Sequence, residues 1–195
     1  MYKTEERLKL FAMSVQLLEN ELGRVEKNLS IDLGRAHQSI LQQDALYYPQ
    51  IDEEIRRTAS KMARHYEVFY SLEKSIRNLI SETLEASNGE NWWDSGRIPA
   101  IVKKNAEDLR KKEIDTGTTP RSSEPIDYTT FGELGEIIKT NWDVFGSIFS
   151  SPKAVERVMA NLNTLRGPIA HCSVLADDEI LRLRLSVRDW FRLME

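Results

Sequence analysis

The sequence has a single cysteine, Cys172, so no disulfide can form within the chain. Structural disulfides belong to oxidising compartments, and a chain without them fits a reducing cytoplasm. No apolar run approaches the roughly 18 residues that a membrane span requires. The N-terminal residues, MYKTEERLKLFAMS, carry charges throughout and have no apolar centre, so we expect no signal peptide. We therefore expect a cytoplasmic protein without a membrane segment.

Glycine and proline are also sparse, with nine and six residues among 195. Helix formers such as Leu, Glu, Arg, Lys and Ala fill the chain instead. No alternating apolar pattern indicates a strand longer than a few residues. The length suits one domain, or one domain with a helical extension. These observations predict an all-α protein.

An excess of positive charge is missing as well, because the formal net charge is −4. Proteins that coat nucleic acid non-specifically are usually basic, so any RNA binding must use a local basic patch. The sequence has no glycine-rich phosphate loop, no Cys/His cluster and no histidine pair at helical spacing. We therefore predict no cofactor and no metal.

The N-terminal segment carries an apolar residue at alternating steps of three and four. These residues form an a/d stripe over three heptads: Leu8, Phe11, Val15, Leu18, Leu22, Val25 and Leu29. The stripe favours two interpretations about equally, a coiled-coil seam between two chains or a helix that packs on its own domain. Gly23 weakens the middle of the helix. A loop-rich stretch with Gly34 and Pro49 follows over residues 31–50.

Five further helices are predicted, which begin near Ile51, near Pro99, at Thr129 or Thr130, at Ser151, and at Asp177 or Asp178. The first has apolar residues on or near one face: Ile51, Ile55, Met62, Tyr66, Phe69, Ile76, Ile80 and Leu84. Gly89 suits a left-handed cap at the end of that helix. Residues 113–124 are rich in Thr, Ser, Pro and Gly, and this composition predicts a loop.

Arg166 and His171 stand five residues apart, on either side of Pro168. A proline removes a backbone donor and clashes with the preceding turn, so we expect the helix to kink or break there. Small residues follow at 172–174 and leave room for a ligand. The spacing alone is weak, because an Arg and a His five residues apart are common. The other histidines, His37 and His65, are interpreted as surface or satisfied residues without a catalytic role.

The segment 165–172 (LRGPIAHC) resembles the R-x4-6-H signature of the HEPN superfamily. Four more blocks resemble its Swt-type branch: residues 70–77 (YSLEKSIR), Trp92-Trp93, 126–138 and 141–145. The resemblance covers roughly residues 66–194. It implies a HEPN-like helical bundle over residues 66–195. Residues 1–65 are then an N-terminal helical extension with a possible coiled coil.

The resemblance also implies an activity. HEPN domains commonly dimerise, and many are metal-independent endoribonucleases in which the Arg and His of both protomers meet in a cleft. By this resemblance Arg166 binds and stabilises the scissile phosphate, and His171 is the acid and base. The expected products are a 2′,3′-cyclic phosphate and a 5′-hydroxyl. The family analogy further suggests a bacterial defence or toxin system and a regulatory or antitoxin protein as partner.

Two positions depart from the family pattern. Many active members have a polar residue, often Asn, directly after the arginine, where this chain has Gly167. By the resemblance, this change implies a lower catalytic rate. Both principal groups, Arg166 and His171, are still present. Ser173 stands where a toxin subclass carries a regulatory tyrosine, so regulation through that tyrosine is not expected.

Substrate binding is assigned to Arg184, Arg188 and Ser173. Arginines recur every four residues along the last helix and predict a track for phosphates, with the alternative that they are a solvated helix face. Trp92 and Trp93 suit either base stacking or, more often, a core position. The function hypotheses are a homodimeric ribonuclease and a non-catalytic HEPN module for dimerisation or RNA binding in a larger assembly. A plain helical adaptor, which dimerises through the N-terminal heptads, is the third.

Overall fold

The structure is a computed structural model that describes residues 4–29, 31 and 50–195. Every regular element in these ranges is an α-helix or a short 3-10 helix. The prediction of an all-α fold is therefore confirmed. The chain divides into two units, residues 1–53 and 54–195, which are described separately.

The first unit contains helix α1, Thr4–Leu29. Three members of its heptad stripe, Phe11, Leu18 and Leu29, are at least 60% exposed. The side chain of Leu8, the predicted loop with Gly34 and Pro49, and His37 lie outside the described residues. The coiled-coil seam stays a prediction.

The second unit is a helical bundle. Its α-helices are α2 (Glu53–Asn88), α3 (Ala100–Asp115), α4 (Phe131–Thr140), α5 (Trp142–Phe145), α6 (Pro152–Ala170) and α7 (Asp177–Arg192). Two 3-10 helices, Trp92–Asp94 and Pro125–Tyr128, connect α2 to α3 and α3 to α4. The short α4 packs against α6, and α6 packs against α7. The candidate motif, residues 165–172, lies at the end of α6 and in the turn that follows it.

The core lies around α4, whose inward residues Phe131, Leu134, Ile137 and Ile138 are fully buried. Helix α2 contributes an apolar face from Phe69 to Leu84, and α6 and α7 cover the other side. Each of these large side chains stabilises the fold by about 1.5–3 kcal/mol relative to an exposed position. The core therefore fixes α2 and α6 in position, and these are the helices that bear the candidate site.

The helix ends follow the local chemistry predicted for them. Thr130 and Glu133 form a reciprocal capping box at the start of α4, and the Ser151 hydroxyl accepts the Ala154 backbone N–H at the start of α6. Gly89 has a positive φ of 78° directly after α2. Helix α3 extends to Asp115, beyond the predicted start of the loop at residue 113, because the Thr116 hydroxyl caps its last carbonyls.

Of the two outcomes expected at Pro168, a kink or a break, the break is excluded. Helix α6 is not broken at Pro168 but continues to Ala170. The proline removes one backbone hydrogen bond, to the carbonyl of Thr164, and three residues of the helix, 168–170, lie at or after it. The apolar face assigned to α2 is exposed near the start of the helix, where Ile55 and Tyr66 are 62% and 59% exposed.

Within the ranges that the structure describes, no helix is both long and apolar enough to cross a membrane.

Candidate functional site

Arg166 lies in the last turns of α6, and its side chain is 41% exposed. Its Nε donates a hydrogen bond to Oε2 of Glu73, at 3.2 Å, on α2. This bond joins two residues that are 93 positions apart in sequence. It leaves part of the guanidinium open to solvent while the other part is held in place.

Glu73 also forms an ion pair with Arg77 on its own helix. Its Oε1 lies 2.7 Å from Nη2 of Arg77, one helical turn further along α2. Both side chains are largely buried, with exposed fractions of 15% and 11%. Arg77 in turn donates to the backbone carbonyls of Ile126 (3.3 Å) and Thr129 (2.8 Å) in the segment before α4. The chain of contacts ties the orientation of Arg166 to the core of the bundle.

Sequence reasoning did not assign a role to Glu73 or Arg77. Both lie in the block 70–77, which was recognised only as a likeness to the family. The signal was their i, i+4 spacing, which places an acid and a base on the same helix face. The partner across the bundle, Arg166, is a tertiary contact that this spacing does not reveal.

Asp127 forms an ion pair with Lys74, close to the network of Arg166, Glu73 and Arg77. Burial raises the pKa of this carboxyl, but a 2.8 Å hydrogen bond from Lys74 and the nearby charge of Arg77 outweigh burial, so the pKa is lowered overall. Asp127 is therefore ionised at neutral pH and keeps Lys74 beside the pocket described next.

A pocket of about 330 Å³ opens between α2, the segment 121–127 and the end of α6. It is lined by four cationic side chains, two carboxylates and three aromatic rings, and its remaining lining is Ile169 and Ala170. The charged members are Lys74, Arg77, Arg121, Arg166, Glu73 and Asp127. Four cations against two carboxylates give the lining itself a formal charge of +2, and Arg121 also pairs with Glu113 outside the lining, whereas the whole chain carries −4. The lining is therefore a local basic surface on a chain that is acidic overall.

His171 is the C-cap residue of α6 and is exposed. Its backbone N–H donates to the carbonyl of Gly167 at 3.0 Å. Among the described residues, none forms a hydrogen bond or ion pair with the imidazole. His171 lies just beyond Ala170, at the edge of the pocket lining, so Arg166 and His171 sit on the same end of α6 but do not share the pocket within one chain.

The turn after His171 is fixed by the backbone. Cys172 adopts a positive φ of 57°, which is uncommon for a residue other than glycine. The N–H of Ser173 then donates to the carbonyl of Pro168 at 2.9 Å. Ser173 is exposed but does not line the pocket, so its assignment to substrate binding stays a prediction.

The predicted phosphate track on α7 is partly as expected. Arg184 and Arg188 are exposed, and the described part of the chain offers neither of them an ion pair. Arg182, by contrast, pairs with Asp178 and Glu179, and Arg192 pairs with Asp189. No α7 residue lines the pocket around Arg166, so the assignment of Arg184 and Arg188 to substrate binding stays a prediction.

The two adjacent tryptophans serve the core. Trp92 and Trp93 are 8% and 9% exposed, and their rings meet edge to face with centroids 5.5 Å apart. Their rings are therefore not accessible for base stacking, and the core interpretation is confirmed. In the described ranges, no group of three or more His, Cys, Asp or Glu side chains is placed to hold a metal ion.

Comparison with known families agrees with this architecture. Residues 67–195 match the family model described as Swt1-like HEPN. The match spans about two-thirds of the chain and includes α2 from its middle, the pocket lining except Tyr66, and the whole of α6 and α7. The protein belongs to the Swt1-like HEPN family. No curated protein and no solved structure gave a match.

Proposed function

We propose that this protein is a metal-independent endoribonuclease that acts as a homodimer. The observation that carries the proposal is Arg166, a half-exposed guanidinium that buried Glu73 holds at the rim of a positively charged pocket. An exposed histidine, His171, follows on the same helix end. These are the two groups that RNA transesterification requires.

In the proposed reaction the ribose 2′-oxygen attacks the adjacent phosphorus, and its proton passes to a neutral imidazole of His171. The guanidinium of Arg166 stabilises the extra negative charge on the pentacoordinate phosphate. The bond from phosphorus to the 5′-oxygen breaks, and that oxygen takes a proton from an imidazolium. The products are a 2′,3′-cyclic phosphate and a 5′-hydroxyl, and no water is consumed.

A homodimer suits the positions of these groups. Arg166 lies on the pocket while His171 lies beyond its edge, so one chain does not bring both into one enclosed site. Two copies that face each other through the ends of α6 supply two arginines and two histidines to a shared cleft. Arg166 and His171, which would meet their counterparts from the second copy, are both accessible at the surface.

The test is cleavage of RNA in the presence of EDTA. Purified protein is incubated with cellular RNA and with a 5′-labelled oligonucleotide. Wild type should produce cyclic-phosphate ends, and His171→Ala and Arg166→Ala should not, although both remain folded by circular dichroism. His65→Ala, a half-buried histidine in the middle of α2, is the matched control and should cleave like wild type. Equal cleavage by wild type and His171→Ala would contradict the proposal.

The arginines of α7 have their own test. Arg184→Ala and Arg188→Ala should weaken RNA binding for every sequence and reduce its dependence on salt. Arg182→Ala is the control on the same helix, because Arg182 is already paired with two carboxylates. If all three variants bind RNA equally, α7 is a solvated helix face.

A second candidate function is a non-catalytic HEPN module that dimerises or binds RNA within a larger assembly. Gly167 favours it, since many active relatives have a polar residue there. RNA binding without cleavage by wild type, with binding reduced in Arg166→Ala, would support this function over the first.

A plain adaptor that dimerises through α1 is the third candidate. Deletion of residues 1–30 should abolish dimerisation of such an adaptor but should leave a dimer formed through the HEPN domain intact.

The biological setting is also a proposal. A cytoplasmic location rests on the single cysteine, whereas a role in bacterial defence or as a toxin, and restraint by a regulatory or antitoxin protein, rest on the family. A ribonuclease without restraint would degrade the RNA of its own cell, so a regulator fits the first candidate.

A further inference from the structure

Two tyrosines form one wall of the pocket beside Arg166. Tyr66 and Tyr70 lie one turn apart on α2, with ring centroids 6.1 Å apart and an angle of 31° between the ring planes. Both residues line the pocket, yet they are 59% and 58% exposed. The pocket therefore offers aromatic surface to a ligand.

The charged groups of the lining surround this aromatic wall. Lys74 follows Tyr70 by one further turn of α2, and Arg121 and Arg166 lie on the neighbouring segments. The pocket thus combines accessible ring faces with an excess of positive charge. This combination is typical of sites that stack a nucleobase and attract the phosphates on either side of it.

We propose that this pocket binds one unpaired base of single-stranded RNA, stacked on Tyr70, next to the phosphate that Arg166 contacts. The inference rests on the proposed function and adds to it a subsite for one base, with Tyr70 as its stacking surface. A base within a duplex is covered on both faces by its neighbours, so it does not reach the tyrosine ring without leaving the stack. The alternative occupant, a second copy of the chain packed on the tyrosines, is an outcome of the test.

The first measurement is the affinity of a fluorescent single-stranded oligonucleotide, by anisotropy, in EDTA. All variants carry His171→Ala so that the probe stays intact. Stacking of one base on an aromatic ring contributes enough that Tyr70→Ala should weaken binding by about five- to 150-fold. Tyr70→Phe keeps the ring and should restore binding to near the reference. Phe191→Ala is the matched control, since Phe191 is a 52% exposed aromatic on α7, outside the pocket.

The second measurement identifies the base. A series of oligonucleotides is prepared, each with one abasic position. At one of these positions the missing base should weaken binding by the reference protein. The same missing base should not weaken binding by the Tyr70→Ala variant any further. A fully paired duplex of the same sequence should bind more weakly than the single strand. Sedimentation of each variant records its oligomeric state.

The outcomes separate this inference from the proposed function. Cleavage of RNA by the chain with native His171, together with equal binding by Tyr70→Ala and no abasic effect, overturns the base pocket and leaves the ribonuclease standing. Base-dependent binding without cleavage keeps the pocket and rejects the enzyme. Loss of the dimer in Tyr70→Ala shows that the tyrosines are a subunit interface and overturns the pocket. Failure to bind any RNA overturns both.

Discussion

Replacement of Glu73 by glutamine tests the network that orients Arg166. The substitution keeps the shape of the side chain but removes the charge that bridges Arg77 and Arg166. The Glu73–Arg77 pair is the tighter one, at 2.7 Å between side chains that are at most 15% exposed. A fully buried pair that loses one partner costs about 3–5 kcal/mol.

The expected cost is smaller here because Arg77 keeps other acceptors. It still donates to two backbone carbonyls, and Asp127 remains 3.9 Å from its Nε. We therefore expect Glu73→Gln to lower the free energy of unfolding by about 1–3 kcal/mol. The pair with Arg166 should contribute less than about 1 kcal/mol, since that guanidinium is 41% exposed.

The assay is urea unfolding followed by tryptophan fluorescence. All four tryptophans lie within residues 54–195, so the signal reports this unit. Double-mutant cycles with Arg77→Met and Arg166→Met separate the two pairs. The coupling energy should be larger for Glu73 with Arg77 than for Glu73 with Arg166. An unchanged stability of Glu73→Gln, or a larger coupling with Arg166, would refute the reasoning.

Three further predictions concern helix ends and pH. Gly167→Ala should raise the free energy of unfolding by about 0.5–1 kcal/mol, because Gly167 is helical and an added Cβ meets no atom within 4 Å. Urea unfolding measures this change, and a loss of stability would show that the added Cβ is crowded. Thr130→Ala should cost about 1 kcal/mol by removing the capping box with Glu133, while Thr130→Ser should not; equal melting temperatures for the two variants would argue against the cap. Asp127, whose lowered pKa stabilises the folded state above the pKa of the unfolded chain, loses that contribution as the pH falls below about 4. The melting temperature of Asp127→Asn should therefore decline less with acid than that of wild type, and parallel declines would contradict this assignment.

Local chemistry explains why the helix ends were predictable. A cap depends on residues within one turn of each other, as with Thr130 and Glu133, so the sequence alone contains the interaction. Pro168 shows the limit of such rules. A proline clashes with the turn that precedes it, yet α6 continues for two residues beyond Pro168.

Burial and the site itself depend on contacts between distant segments. Periodicity assigned Tyr66 to the same apolar face as Phe69, but α2 has no buried residue before Phe69. The face continues along the helix beyond the elements that cover it. Likewise Arg166 was identified through its likeness to the family, whereas its contact with Glu73 spans 93 residues and is visible only in the fold.

Cleavage chemistry tests the central claim most directly. Wild type and His171→Ala are incubated in EDTA with a single-stranded RNA oligonucleotide, and with the same oligonucleotide carrying a 2′-deoxyribose at the cleaved position. The account predicts that wild type cleaves the first to a 2′,3′-cyclic phosphate, leaves the deoxy position intact, and loses activity when His171 is replaced. Cleavage at the deoxy position, or undiminished cleavage by His171→Ala, would contradict it.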